Sequence, residues 1–168
     1  MNSLLQPTDF IAFYRRNNDG EVLLVYASMS GNTEAMADLI EKGLLEGGAE
    51  VDRHEAMDVD AALFNDYQYM IFGAYTWGDG DLPDEFLDIY DDMEGMDFTG
   101  KMFAVFGSGD TSYEHFCGAV DILEDKIKEL GGDTVLPSVK IEMNPEDEEE
   151  DMLLQFGRDF AKKCEVPA

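Results

Sequence analysis

Three short segments of the sequence carry polar side chains of the kind that bind a phosphorylated ligand or a planar ring. We name them loop 1 (residues 28–33, SMSGNT), loop 2 (residues 75–83, YTWGDGDLP) and loop 3 (residues 107–113, GSGDTSY). Each segment follows a run of apolar residues and precedes residues with a helical pattern. Segments of this kind meet at one edge of a parallel sheet, so the three loops can contribute to a single site.

Loop 1 has the composition of a phosphate site. It offers the hydroxyls of Ser28, Ser30 and Thr33 together with Gly31 and Asn32 at the start of a predicted helix. Backbone N–H groups and the helix dipole attract an anion at such a position. The loop holds no Lys or Arg and lacks the Gly-Lys-Ser/Thr ending of a P-loop, which favours a phosphate monoester over a nucleoside triphosphate. The alternative is an ordinary polar turn that caps the helix.

Loops 2 and 3 each carry one aromatic side chain beside glycines. Trp77, the single tryptophan of the chain, lies in loop 2, and Tyr113 lies in loop 3. Two aromatic faces can enclose a planar ring by offset stacking, and glycines let the backbone approach the ring's polar edge. The alternative is that both aromatics simply cover the end of a sheet. Together with loop 1, they predict a flat, phosphorylated heterocycle as the ligand.

The elements that position these loops alternate along the chain. Apolar runs predict buried strands, and charged or proline-containing runs predict edge strands. The predicted strands are residues 22–27, 50–56, 69–74, 102–106 and 134–143, the last with Pro137 inside it. The predicted helices are residues 35–45, 58–64 and 83–93, one that follows a capping-box pattern at 111–114, and one capped at Asn144.

This alternation of five strands with five helices predicts an α/β fold with one open, doubly wound parallel sheet. Ligands bind such sheets beyond the carboxyl ends of the strands, where the three loops lie. Residues 21–168 form the predicted domain. Residues 1–20 differ from it and end in a strong turn signal, Asn-Asn-Asp-Gly. They are interpreted as an N-terminal tail, or alternatively as an added element that packs on the domain.

The charge balance limits the classes of partner. The chain has 38 Asp and Glu against 11 Lys and Arg, a formal net charge of −27. Neither nucleic acid nor an anionic membrane is expected to bind such a surface, whereas basic protein surfaces are attracted to it. Cys117 and Cys164 are far apart in sequence and are expected to be free thiols of a reducing cytoplasm. The first twenty residues do not resemble a secretory signal, and no apolar run approaches the length of a membrane span, so a cytoplasmic location is expected.

Other chemistries have weaker support in the residues. The acids of residues 79–85 do not follow the calcium-loop pattern, so no metal is expected. The loop serines lack a nucleophile-elbow motif and a paired histidine. His115 is expected to pack or cap rather than to catalyse. A phosphoacceptor domain needs an aspartate at the end of the third parallel strand in space, but Ala74 and Gly107 follow the strands here.

The three loops resemble the FMN-binding loops of the flavodoxin family. The matching segments are residues 26–34 (YASMSGNTE), 76–80 (TWGDG) and 107–119 (GSGDTSYEHFCGA), and the resemblance covers residues 21 to about 164 in order. Because residues 134–143 run on without a long insertion, the chain is similar to the short-chain bacterial type. Residues 1–20 have no counterpart in the family, and Ser30 replaces a frequent threonine but keeps the hydroxyl.

The resemblance implies a flavodoxin-like fold, a five-stranded parallel sheet in the order 2-1-3-4-5 with helices on both faces, and non-covalently bound FMN. Loop 1 would hold the phosphate, Trp77 and Tyr113 would cover the two faces of the isoalloxazine, and residues 108–110 would bind its pyrimidine edge. The implied FMN-binding residues are Ser28, Met29, Ser30, Gly31, Asn32, Thr33, Thr76, Trp77, Gly78, Asp79, Ser108, Gly109, Asp110, Tyr113, Phe116 and Cys117.

The resemblance also implies a mechanism centred on Gly78. In flavodoxins the peptide after this glycine can flip so that its carbonyl accepts the N5–H of the one-electron-reduced flavin. Glycine makes such a flip cheap, and an alanine there is expected to destabilise the semiquinone. Fixed carboxylates near the ring, among them Asp79 and Asp110, disfavour the anionic, fully reduced flavin. The expected function is therefore a low-potential, one-electron carrier that uses the semiquinone/hydroquinone couple.

Such a carrier would shuttle electrons as a monomer. Its expected partners are the basic surfaces of flavodoxin or ferredoxin reductases and of electron-accepting enzymes, in transient contacts. The alternative function is an FMN-dependent quinone or nitro-compound reductase on the same fold. That reductase would need an open flavin face, which two covering aromatics would deny it.

Overall fold

A computed structural model describes residues 21–164, so the interpretation of residues 1–20 as a tail lies outside the described part of the chain. The strands are β1 (Glu21–Ala27), β2 (Glu50–Glu55), β3 (Tyr69–Tyr75), β4 (Met102–Gly109), β5 (Asp133–Thr134) and β6 (Val139–Glu142). The helices are α1 (Asn32–Glu46), α2 (Asp84–Asp92), α3 (Gly118–Glu129) and α4 (Asp147–Lys163). Two short 3-10 helices, Ala56–Asp58 and Ala61–Asp66, lie between β2 and β3.

The strands form one parallel sheet in the order β2-β1-β3-β4-β5, with β6 also paired to β4. The predicted fold class and strand order are therefore confirmed. The three central strands are almost wholly buried, as their apolar runs predict. Because all pairs are parallel, the carboxyl ends of β1, β3 and β4 lie at the same edge and bring loops 1, 2 and 3 together.

The edge strand differs from the prediction. Residues 134–143 do not form one continuous strand; β5 pairs with the start of β4 and β6 pairs with its end. Pro137 lies in the interruption and lacks the N–H group that a continuous ladder would need. The break leaves β6 free to end beside loop 3, where the backbone N–H of Met143 donates to the carbonyl oxygen of Gly109 at 3.0 Å.

Helices cover both faces of the sheet, as predicted. One hydrophobic cluster joins α1 and α4 to the sheet and includes Ile40 and Phe160, both fully buried. The other cluster joins α2, α3 and the 3-10 segments to the opposite face and includes Phe72 and Leu123. Within residues 21–164 no helix is long and apolar enough to cross a lipid bilayer.

Three helix predictions need correction, one in the type of helix and two in where the helix begins. The predicted helix 58–64 is the pair of 3-10 helices. The last helix begins at Asp147 and is capped by Glu146, whose side chain forms a capping box with Glu149, so Asn144 is not the cap. A carboxylate can replace the usual Ser or Asn because it also accepts from backbone N–H groups.

The third correction concerns the helix after loop 3. The capping-box pattern at 111–114 does not begin a helix, since α3 starts only at Gly118. Instead Asp110 organises a turn: its side chain accepts the N–H of Ser112 at 2.9 Å, and its carbonyl accepts the N–H of Tyr113 at 3.2 Å. Cys117 then takes a left-handed conformation, φ 53, which a helix cannot contain. Tyr113 therefore lies in a loop and not in a first helical turn.

Candidate functional site

A groove runs along the carboxyl edge of the sheet between loops 1, 2 and 3. Most of the side chains singled out in the sequence line this groove or flank it. The lining residues are Met29, Ser30, Asn32, Tyr75, Thr76, Gly78, Ser108, Gly109, Asp110, Tyr113, His115, Cys117 and Met143. These described residues include no Lys or Arg, so the lining offers an anion mainly hydroxyl and backbone N–H donors.

Loop 1 presents uncharged donors at the start of α1. Gly31 precedes the helix in a left-handed conformation, φ 90, and makes no side-chain cap. The N–H of Glu34 donates to Ser28 Oγ at 3.2 Å, while the N–H groups of Asn32 and Thr33 belong to the first turn, which has no intrahelical acceptors. A Cβ added at Gly31 would meet no atom within 4 Å outside its chain neighbours, so the backbone of loop 1 is open at this residue. This geometry fits a phosphate monoester.

Two buried hydroxyls tie loop 1 to loop 3. Thr33 Oγ1 and Ser108 Oγ lie 2.7 Å apart, and both side chains are almost fully buried. The carbonyl of Ser108 also accepts the N–H of Thr76 at 3.1 Å, and Thr76 Oγ1 accepts the N–H of Ala119 at 3.3 Å. Thr33 and Thr76 therefore hold the loops in register, which is a role that the sequence did not assign to them.

Loop 2 is a tight turn whose backbone closes on itself. Trp77 and Asp81 exchange two backbone hydrogen bonds, of 2.8 and 2.9 Å. Gly78 and Gly80 inside the turn have φ of 55 and 113, conformations that other residues adopt at a cost. The side chain of Trp77 is 51% exposed and flanks the groove, whereas its neighbours Thr76 and Gly78 line it. The turn thus fixes the backbone while leaving the indole ring accessible.

Loops 2 and 3 are packed backbone against backbone. A Cβ added at Gly118 would lie 2.6 Å from both the Cα and the carbonyl oxygen of Gly80, so only glycine allows this approach. The N–H of His115 donates to Asp79 Oδ1 at 3.2 Å, and its ring Nδ1 lies 3.6 Å from Asp79 Oδ2. These contacts set the position of Trp77 relative to Tyr113, whose ring is 46% exposed.

The carboxylates around the groove differ in the groups that they contact. The N–H of Ser112 lowers the pKa of Asp110 below its ordinary value, so this carboxylate stays charged beside the groove. Asp79, Glu114 and His115 form an exposed cluster of possible metal ligands among the described residues. Glu85 accepts a hydrogen bond of 2.7 Å from the hydroxyl of Tyr75. The pKa of Tyr75 is raised, mainly because its hydroxyl is partly buried and secondly because of this hydrogen bond.

Cys117 and Phe116 form the inner wall behind loop 3. The thiol of Cys117 is buried and donates weakly to the carbonyl oxygens of Gly107 and Ile141, with sulfur–oxygen distances of 3.7 and 3.9 Å. Phe116 is half-buried and packs against the hydrophobic cluster under α3. Burial raises the pKa of Cys117 to about 12 and that of Cys164, which is equally buried, also to about 12.

We therefore expect both thiols to be inert in the folded protein. At pH 8 the thiolate, which is the reactive form, is almost absent when the pKa is about 12. Mass spectrometry after treatment with iodoacetamide should show both cysteines unmodified in the native protein and both modified in urea. Rapid alkylation of Cys117 in the native state would contradict the burial of the inner wall.

Sequence reasoning missed three residues that line the groove: Tyr75, His115 and Met143. Met143 has a left-handed backbone, φ 57, and its side chain is 46% exposed. The end of the predicted strand 134–143 already placed Met143 at the same edge, so its position in the groove could have been inferred from the topology of the sheet. Tyr75 is the last residue of β3, where an inward orientation could not be told from the apolar run alone.

Comparisons with known proteins agree with this geometry. The family model described as Flavodoxin matches residues 24–157. Probable flavodoxin 2 of Bacillus subtilis is 74% identical over 144 residues, 85% of this chain and 95% of that protein. The crystal structure of oxidised flavodoxin 1 from Bacillus cereus is 49% identical, with a TM-score of 0.82 over 84% of this chain and 97% of that one. A short-chain flavodoxin associated with a bacterial microcompartment is 34% identical, with a TM-score of 0.81 over 86% of this chain and 99% of that one.

Proposed function

This chain belongs to the flavodoxin family, and we propose how its own residues hold and tune the flavin on which that family carries electrons. The protein is an FMN-binding electron carrier and not an enzyme. No observation favours the alternative, a quinone or nitro-compound reductase on the same fold. The observation that carries the assignment of residues is the groove at the carboxyl edge, which joins uncharged anion donors to two exposed aromatic rings.

The phosphate of FMN would lie on loop 1. The N–H groups of Asn32 and Thr33 and the hydroxyl of Ser30 are neutral donors, and the N-terminus of α1 adds its positive dipole end. Ser28 supports the loop through Glu34, and Gly31 leaves room for the phosphate oxygens. The absence of Lys and Arg from the lining suits a ligand that is held by geometry rather than by charge.

The ring system would lie between Trp77 and Tyr113. Both rings are about half exposed, at 51% and 46%, which leaves their faces available for stacking. Ser108, Gly109 and Asp110 line the groove at the end of β4 and would meet the pyrimidine edge of the ring. Met29 and Met143 would pack against the ligand's rim, since thioethers adapt to aromatic surfaces.

Bound FMN supplies one-electron chemistry, and the residues around it set the midpoint potentials of its two one-electron steps. Gly78 has φ 55, and a Cβ added there would meet nothing nearer than Asp81 Oδ2 at 3.9 Å. Among the described residues the peptide after Gly78 takes part in no backbone hydrogen bond, so a change in its orientation would break none. That change would present its carbonyl to a proton on the ring. The carboxylates of Asp79 and Asp110 oppose additional negative charge in the groove, which favours low-potential electron transfer.

Reductive titration of the FMN-loaded protein tests this proposal. We expect two well-separated one-electron steps in the wild type. In Gly78→Ala we expect the flipped peptide to cost about 1–2 kcal/mol more than with glycine, which lowers the first midpoint potential and raises the second by about 40–80 mV each. The two potentials should therefore move closer together by about 80–160 mV. The matched control is Gly95→Ala, which replaces another glycine of positive φ, 86, that has nothing within 4 Å of an added Cβ and lies outside the groove. A single two-electron step in the wild type would contradict one-electron transfer tuned by loop 2.

The redox partners of this carrier would be basic proteins. The net charge of −27 favours fast, transient and salt-dependent encounters with the cationic surfaces of flavodoxin or ferredoxin reductases and of acceptor enzymes. The same charge opposes self-association, which supports a monomer. The buried free thiols of Cys117 and Cys164 support a cytoplasmic location, because such thiols persist in a reducing compartment.

A further inference from the structure

An exposed apolar side chain follows each of the five strand ends at the carboxyl edge. They are Met29 after β1, Met57 after β2, Trp77 after β3, Tyr113 after β4 and Met143 after β6. Met29, Tyr113 and Met143 line the flavin groove and Trp77 flanks it. Met57 does not belong to that groove, although it is the most exposed of the five at 68%. The flavin therefore gives no reason for the exposure of Met57.

Met57 lies on a second groove, which we name the Met57 groove. Its lining residues are Ala56, Met57, Val59, Asp84, Glu85, Asp88 and Ile89. Ala56 and Ile89 are buried and form an apolar floor, while Asp84 and Asp88 are exposed at the rim. A groove with an apolar floor and a carboxylate rim matches an apolar side chain that is flanked by cations.

The surrounding charge strengthens this match. Residues 54–100 contain thirteen Asp and Glu and no Lys or Arg. Within the Met57 groove, no described cation neutralises the carboxylates of the rim, since the ion pairs of the described residues involve other acids. Lysine or arginine side chains on a partner would therefore meet only attraction on approach, and this attraction would weaken with salt.

The Met57 groove shares a wall with the flavin groove. Tyr75 lines the flavin groove, and its hydroxyl donates to Glu85 Oε2 at 2.7 Å. Glu85 in turn lines the Met57 groove. A protein segment seated on Met57 would thus be separated from the wall of the flavin groove by the Tyr75–Glu85 pair.

We propose that the Met57 groove docks a segment of the electron-exchange partner that presents one apolar side chain flanked by Lys or Arg. This inference rests on the proposed function and adds a defined contact to it. Methionine suits the position because its flexible, polarisable side chain adapts to different surfaces, as a carrier with several partners requires. The apolar contact gives the short-lived complex a fixed register, while the carboxylate rim raises its association rate.

Methyl NMR on the FMN-loaded protein tests the proposal directly. The methionine methyl groups would be labelled with ¹³C and the protein titrated with an NADPH-dependent flavodoxin reductase as the probe. We expect the Met57 methyl signal to shift or broaden together with those of Met29 and Met143. Met152, which is 45% exposed on α4 against the opposite face of the sheet, is the internal control and should not respond.

Matched variants separate the apolar contact from charge. Met57→Ser should raise the dissociation constant for the reductase about tenfold, since it removes most of a buried methionine's contribution. Met152→Ser should leave it unchanged. Asp84→Asn combined with Asp88→Asn should weaken binding at low salt and reduce its salt dependence. None of these variants should alter FMN affinity or reduction by dithionite, which is a small reductant and needs no docking surface.

The outcomes distinguish the docking site from the proposed function. If Met29 and Met143 respond to the reductase but Met57 does not, the protein is a carrier that docks elsewhere and the proposal is wrong. The proposal is equally wrong if Met57→Ser and Met152→Ser bind the reductase with the same affinity. A protein that takes up no FMN would overturn the proposed function itself, and the docking site would fall with it.

Discussion

Replacing Trp77 by alanine is expected to weaken FMN binding by about 5- to 150-fold, because stacking on one aromatic side chain contributes about 1–3 kcal/mol. The substitution should weaken ligand binding without changing the fold of loop 2. The ring is 51% exposed, and the turn around it is held by backbone bonds between Trp77 and Asp81, which alanine preserves. Titration of the apoprotein with FMN, followed by quenching of flavin fluorescence, gives the dissociation constant.

The design of this test includes two controls. Trp77→Phe keeps an aromatic face and should recover part of the affinity. Leu87→Ala removes an equally accessible apolar side chain, 40% exposed on α2, and should not change FMN binding. If Trp77→Ala bound FMN as tightly as Leu87→Ala, the tryptophan would merely cover the end of the sheet, the alternative that the sequence left open.

Replacing Gly118 by alanine should damage the site without removing any group that touches the ligand. The added methyl would lie 2.6 Å from the Cα and the carbonyl oxygen of Gly80, so the backbones of loops 2 and 3 must separate. Overpacking of this kind costs about 1–3 kcal/mol. We expect that cost to appear both as lower thermal stability and as FMN affinity weakened by roughly 5- to 150-fold.

The control for Gly118→Ala is Asp125→Ala, at an exposed position of the same helix. Alanine favours a helix over glycine by about 1 kcal/mol, so a loss of stability at position 118 cannot come from helix propensity. Unchanged FMN affinity in Gly118→Ala would show that the spacing of Trp77 and Tyr113 is not set by the contact between Gly80 and Gly118.

Most of the fold could be predicted because its signals are local. The apolar runs of β1, β3 and β4 are long enough to require burial on both faces, and parallel crossover rules then leave few arrangements. The interruption around Pro137 was harder to predict, since a proline is compatible with an edge strand and also with a break. Which of the two occurs depends on how residues 135–138 pack, and that is not a property of the local sequence.

The start of α3 shows why the site was predicted less completely than the fold. Residues 111–114 match a capping box, but Asp110 competes for the same N–H groups and forms a turn instead. Cys117 then adopts a left-handed backbone that no pattern signals. Likewise, the bond between Thr33 and Ser108 joins residues 75 positions apart, so neither hydroxyl could be assigned to positioning from the sequence.

The groups that fix the loops and the groups proposed to touch the ligand are therefore largely distinct. Thr33, Thr76 and Gly118 hold the backbones together, whereas Trp77 and Tyr113 remain accessible. The hydrogen bonds and glycine contacts within the protein order these loops, which lowers the entropic cost of binding. This division also explains why residues without ligand contact are expected to affect affinity.

The most direct test of the account is a titration of the apoprotein with FMN and, in parallel, with riboflavin, followed by the fluorescence of Trp77. Because Trp77 is the single tryptophan of the chain, its emission reports on the groove alone. We expect stoichiometric quenching by one FMN per chain and binding of riboflavin at least about 100-fold weaker, since riboflavin lacks the phosphate that loop 1 would hold. Equal affinity for both ligands, or FMN binding that leaves the emission of Trp77 unchanged, would contradict a flavin held between loop 1 and the two aromatic rings.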